Sequence, residues 1–147
     1  MKPKKIVIAS DHAGYELKIK VIDYLEKKRC IVDDLGTDSI VSVDYPDYGH
    51  ALAEHVASQK YDAGISICGS GNGINLTANK HPEIRSALCW RKDIAELARR
   101  HNDANICALP ARFISYELAC EIVDAFISTP FDGGRHIRRI EKIPIKP

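Results

Sequence analysis

Cys68 closes an apolar run, Ile65-Ser66-Ile67, and opens onto Gly69-Ser70-Gly71-Asn72-Gly73. Three alternating glycines let the backbone adopt positive φ and turn several N–H groups toward one point. The segment beyond, through Leu76, Ala78 and Asn79, can start a helix, which adds unpaired N–H groups and a positive dipole end. Such a cradle attracts an anion, most often phosphate or carboxylate. A thiol beside it has a possible chemistry of its own. At an ordinary thiol pKa of about 8.5, about 3% is thiolate at pH 7, and roughly 2 kcal/mol of preferential stabilisation makes the ion abundant. Amides and a helix start supply that order of energy. The alternative is a buried cysteine at a strand end beside a tight turn, a common place for the residue.

Three other groups of residues could do chemistry. Asp11-His12 follows an apolar run directly, so an acid and an imidazole at a strand end could handle the hydroxyl protons of a sugar. The alternative is an Asp that caps the next helix and an exposed His. His101, in His101-Asn102-Asp103-Ala104-Asn105, could donate a proton or simply complement a helix C-terminus. Arg135 and Arg139 stand at i, i+4, one helical face, at a reach that suits a phosphate; Arg112 could join them, and a solvated basic face is the alternative. The glycine loop fits no nucleotide fingerprint: it lacks the G-K-[ST] ending, and the third position of G-x-G-x-x-G is Ile74. The six histidines show no H-x-x-x-H spacing, so no metal is expected.

The elements that must position these groups alternate. Residues 5–10, 30–35, 65–68, 86–90 and 105–109 read as strands, the last stopped by Pro110. Between them, helices are expected over 15–29 with Leu17, Val21, Tyr24, Leu25 and Lys28 at helical spacing. A second runs from Pro46-Asp47 to Gln59 with Ala51, Leu52, His55 and Val56 on one face. A third, over 93–100, carries Ile94, Leu97 and Ala98. Ser115 can cap a helix through Phe126, and 136–143 is a short last helix. Alternation of this kind implies an α/β fold: a three-layer α/β/α domain, Rossmann-like, with a parallel sheet of about five strands. Ligands of such sheets sit beyond the carboxyl ends of strands where the strand order reverses. That rule singles out Asp11-His12 and the Cys68 loop as neighbours in space.

The 147 residues suit one domain, 1–147, with 45% hydrophobic and 28% charged residues. A net charge of +1 argues for neither nucleic acid nor an anionic membrane as partner. No apolar stretch is of membrane-spanning length, and the N-terminus has no signal-peptide pattern. Five cysteines, odd in number and widely spaced without a C-x-x-C, fit reduced thiols and a cytoplasmic location.

Read together, the motifs resemble the ribose-5-phosphate isomerase B family, whose relatives include galactose-6-phosphate isomerase subunits. The resemblance rests on I-A-S-D-H-A-G at 8–14, D-Y-P-D-Y at 44–48, I-C-G-S-G-N-G-I at 67–74 and A-N-K at 78–80. It continues with R-H-N-D-A-N at 100–105, A-R at 111–112 and G-G-R-H at 133–136. It implies cofactor-independent interconversion of ribose 5-phosphate and ribulose 5-phosphate through a cis-enediolate. By position, Cys68 is then the base between C2 and C1, and the amides of Gly69, Ser70, Gly71, Asn72 and Gly73 hold the enediolate oxygen. Ser70 adds a hydroxyl. His101 opens the furanose ring with help from Asp11. His12, Asn102, Arg112, Arg135 and Arg139 hold substrate, and Tyr45 walls the site. The family also implies a homodimer with shared active sites, or a tetramer, so that His101 and some arginines serve the partner's Cys68. One branch of the family replaces the cysteine by a glutamate at the position of Ile74; here only the thiol version is possible. An isomerase of a six-carbon sugar phosphate such as allose or galactose 6-phosphate, a non-catalytic phosphosugar-binding module and a thiol redox enzyme remain as alternatives.

Overall fold

The computed structural model describes residues 2–147. Five strands alternate with six helices: β1 (Lys5–Ser10), α1 (Tyr15–Lys27), β2 (Ile31–Asp34), α2 (Tyr45–Ala57), β3 (Ala63–Cys68) and α3 (Asn72–Ala78) are followed by β4 (Ser86–Leu88), α4 (Lys92–Asn102), β5 (Ile106–Pro110), α5 (Tyr116–Ser128) and α6 (Arg135–Glu141). The strands form one sheet in the order β2-β1-β3-β5-β4, and every neighbouring pair is parallel. The result is the expected three-layer Rossmann-like α/β/α domain.

Strand side chains alternate between the two faces. Ile6, Ile8, Ile65, Ile67, Cys107 and Leu109 pack with Val21 and Leu25 of α1, Ala95 and Ala98 of α4, and Ile122, Val123 and Phe126 of α5. Val7, Ala9 and Ile106 pack on the other face with Leu52, Ala53 and Val56 of α2 and Ala78 of α3. β3 is buried along its whole length, as a central parallel strand covered on both faces must be. The order reverses between β1 and β3: β1 leads outward to β2, and β3 leads the other way to β4, with β5 returning between them. This is the switch point, and Cys68 and Asp11 lie at its carboxyl edge.

Several boundaries and faces differ from the sequence reading. α2 begins at Tyr45, one residue earlier, with Pro46 in its first turn, where a missing N–H costs nothing. α3 begins at Asn72, so Gly73 is helical rather than loop. Pro110 ends β5 from within, paired in register with Cys68; a terminal strand position tolerates proline. On α4 the buried residues are Ala95 and Ala98, while Leu97 is 44% exposed. On α2, Gly49 and Ala53 are buried, and His55 is exposed with Nδ1 2.8 Å from the Ala51 carbonyl. On α1 the spacing that includes Lys28 overlooks Lys18, which is fully buried with its ammonium 2.5 Å from Asp34 Oδ1. The carboxylate partner makes that burial tolerable.

Candidate active site

Cys68 ends β3 and is 4% exposed. The chain then turns away in a loop that only glycine can make at one point. Gly71 has φ +76°, and a Cβ there would lie 2.4 Å from Leu88 Cδ1. Beyond it α3 starts abruptly; Asn75 N–H donates to the Gly71 carbonyl, which leaves Gly73 and Ile74 in the first turn, whose amides have no partner within the helix. Asn72 N–H donates to Ser70 Oγ at 3.2 Å. Ser70 therefore braces the loop with its lone pair, and its own proton stays free to donate.

Two side chains flank this loop. The Tyr45 ring lies against Gly73, where a Cβ would come within 2.6 Å of it. Arg112 lies across Gly69, its Nη1 3.1 Å from where a Cβ would stand. The turn after β5 carries it there: Ala111 N–H donates to the Cys68 carbonyl at 2.9 Å and Arg112 N–H to the Gly69 carbonyl at 3.0 Å.

The end of β1 meets the same edge. Asp11 N–H donates to the Ile67 carbonyl at 3.2 Å, so Asp11 follows the strand beside Cys68. Asp11 is buried, and its Oδ1 accepts from Gly14 N–H at 3.1 Å. One oxygen does the capping that the sequence offered as the plain alternative. His12 is half-buried, and its Nδ1 is 3.2 Å from the amide nitrogen of Val43. The structure thus brings Asp11, His12, Tyr45, Cys68, Gly69, Ser70, Gly71, Asn72, Gly73 and Arg112 to one edge.

It places the other four elsewhere. His101 and Asn102 close α4, and α4 runs back against the strands, so both lie at the amino edge of the sheet. Arg135 and Arg139 lie on α6, tied to the same edge by Asp132 N–H, which donates to the Arg100 carbonyl at 3.0 Å. β5 alone separates the two edges by roughly 13 Å. Within one chain His101 cannot reach Cys68.

At the amino edge the sequence reading missed His136, which no linear spacing connects to His101. Their rings stack at 4.4 Å and 14°. His136 is 8% exposed; burial, followed by His101, Arg135 and Arg139 as cationic neighbours, lowers its pKa below the ordinary imidazole value. Asp132 adds a third potential ligand within 4.8 Å. The near-parallel rings direct their lone pairs along their own planes, so the trio does not converge on one ion as it stands.

Fold and site together define a doubly wound α/β domain that gathers a thiol, a carboxylate and a glycine loop at the strand switch point. Residues 6–143 match the ribose/galactose isomerase family. The chain belongs to that family and is an isomerase. It is 42% identical over 140 residues to ribose-5-phosphate isomerase B of Escherichia coli, which covers 95% of this chain and 94% of the relative. A crystal structure of a ribose 5-phosphate isomerase from Thermotoga maritima superposes with TM-score 0.95 at 55% identity, over 96% of this chain and 97% of that one. The ribose-5-phosphate isomerase B of Mycoplasma genitalium, solved with bound ribulose-5-phosphate, gives TM-score 0.90 at 41% identity, over 95% and 93%. Among the described residues no helix is long and apolar enough to cross a membrane.

Proposed function

We propose that this chain interconverts D-ribose 5-phosphate and D-ribulose 5-phosphate through a cis-enediolate, with Cys68 as the base. The observation that carries this reading is the position of Cys68: a thiol at the switch point, one residue from the bond that joins β3 to Asp11, with the glycine loop turning away beneath it. The Mycoplasma genitalium relative, with ribulose-5-phosphate bound, supports a five-carbon phosphate as the ligand.

The reaction balances on these groups. The Cys68 thiolate takes the C2 proton of the open-chain aldose. The C–H electron pair becomes the C1–C2 double bond, and the carbonyl π pair moves to O1. Charge grows on that oxygen, where preoriented amides of the glycine loop, Gly73 among them, need no reorganisation to meet it. The thiol returns the proton to C1 while the O2 proton passes to O1, which leaves a ketone at C2 and restores the thiolate. Asp11 and Ser70 are within the same edge to manage hydroxyl protons, and Tyr45 and Arg112 bound the sugar.

The remaining roles need a second copy. A homodimer that sets the amino edge of one chain against the carboxyl edge of the other would bring His101 to open the furanose ring. It would bring Asn102 to the sugar and Arg135 and Arg139 to the phosphate, where paired guanidinium groups are suited to bind. Phe113 and Leu76, 75% and 65% exposed near the glycine loop, are apolar surface that such a partner would cover. All five cysteines are free thiols, in keeping with a reducing, cytoplasmic location.

The test is an assay of interconversion across five- and six-carbon aldose phosphates, with Cys68→Ala alongside. Turnover of ribose 5-phosphate that vanishes in the variant supports the reading. Preference for allose or galactose 6-phosphate would move the substrate, and turnover by the variant would remove the base. Binding of the sugar phosphates without interconversion would make the chain a phosphosugar-binding module.

A further inference from the structure

We propose that the backbone N–H of Val43 holds His12 as the neutral Nε2–H tautomer and so makes it a dedicated hydrogen-bond donor to an oxygen of the sugar phosphate. The inference rests on the functional reading above for the identity of the ligand, and on the Val43–His12 contact for the state of the ring.

A backbone amide can only donate. His12 Nδ1, 3.2 Å from the Val43 nitrogen, must therefore accept, and an accepting ring nitrogen carries no proton. The ring proton then sits on Nε2. Ordinarily a histidine tautomer is an assignment; here the partner has one possible role and the assignment follows. The ring thus offers its ligand a donor, suited to a phosphate, hydroxyl or carbonyl oxygen. It does not offer a free lone pair, so it is not a base toward carbon. In the same edge Asp11 has Oδ1 engaged by Gly14.

The loop that supplies the amide is built around this contact. Its start is stitched to the end of β1, with Ser10 N–H donating to the Gly36 carbonyl and Thr37 N–H to the Ser10 carbonyl, both at 2.8 Å. Its middle is solvated, with Ile40 and Val41 exposed. Val43 returns it to His12, and two residues later Tyr45 begins α2 with its ring on Gly73. Val43 is therefore a positioning residue: it sets the His12 ring and stands next to the segment that delivers Tyr45.

The direct test is a long-range proton–nitrogen NMR correlation on protein carrying nitrogen-15 histidine, above neutral pH, with the His12 signals assigned by their loss in His12→Gln. The expected wild-type pattern is a protonated Nε2 and a bare Nδ1, kept in Val43→Ala, which retains the amide. Val43→Pro removes the N–H and should yield a mixture of tautomers. In the same pair of variants, KM for ribose 5-phosphate should rise about threefold or more in Val43→Pro while kcat changes less, the mark of weakened binding. His12→Gln, whose amide can donate from the Nε2 position, should retain more affinity than His12→Asn, whose amide lies at the Nδ1 position. A wild-type ring protonated on Nδ1 overturns the proposal, whether or not Val43→Pro folds. Identical NMR patterns and KM values in Val43→Pro and Val43→Ala also overturn it. Absence of isomerisation in the wild type would remove the functional reading, and the NMR pattern would still decide the tautomer.

Discussion

The amide of Asp11 donates to the carbonyl of Ile67 at 3.2 Å, a bond that extends the β1–β3 ladder one step past the end of β1 and brings Asp11 to the strand end that Cys68 occupies. In a parallel sheet that pair exists only because β1 and β3 are neighbours, with the chain leaving them in opposite directions. Two residues 57 apart in sequence come to one edge of the sheet through strand order.

Cys68→Ala should leave the fold intact, since a buried Cys-to-Ala change removes one small atom and costs about 1 kcal/mol. Turnover should fall about 1,000-fold or more, as expected when the group that moves the proton is removed. Steady-state isomerisation and a thermal melt on the same preparation check both halves. Wild-type turnover in the variant would show that another group is the base.

The proposed homodimer, with its site divided between two chains, predicts complementation. Cys68→Ala and His101→Ala homodimers should each be poor catalysts, and subunits exchanged between them should recover about a quarter of wild-type turnover. Half of randomly mixed dimers are hybrids, and each hybrid holds one intact site. No recovery after verified exchange would mean that His101 does not serve the partner's Cys68.

Arg135→Ala and Arg139→Ala should raise KM for the phosphorylated sugar about tenfold or more, the scale of a charge-assisted hydrogen bond, with kcat less affected. Weak turnover of unphosphorylated ribose should change little. Equal losses on both sugars would assign the arginines to structure instead of phosphate.

Gly71→Ala should destabilise the chain by roughly 2–4 kcal/mol, from the left-handed backbone and the overlap with Leu88. Urea denaturation gives the value directly. Conversely, Ser66→Ala should raise stability by about 1 kcal/mol: Ser66 is fully buried in β3 and its Oγ has no hydrogen-bond partner, so removing the hydroxyl relieves a desolvation penalty.

His136 predicts a pH effect on stability. Its folded pKa is lowered, chiefly by burial and next by His101, while in the unfolded chain it returns to about 6.5. Below that value the unfolded chain takes up a proton that the folded chain refuses. Stability conferred by the neutral ring is therefore complete above about pH 6.5 and is lost as pH falls toward the folded pKa. His136→Phe keeps a ring for the stack and cannot titrate. Its melting temperature should fall less than wild type over that acid range; parallel curves would remove the linkage.

Amino-acid order by itself determined the alternation of strand and helix, the thiol at a strand end before alternating glycines, and the switch-point rule that paired Asp11 with Cys68. These are local: apolar runs, caps and glycine spacing act within a few residues. Tertiary structure decided what local pattern leaves open. Burial of Lys18 on α1 depends on Asp34 arriving from β2, and exposure of Leu97 depends on which face α4 turns to the sheet. The stack of His101 on His136 needs α6 folded back against the end of α4. Above all, the direction of each strand set Cys68 and Arg112 at one edge and His101, Arg135 and Arg139 at the other, because a parallel sheet sends every helix back to the edge its strand came from.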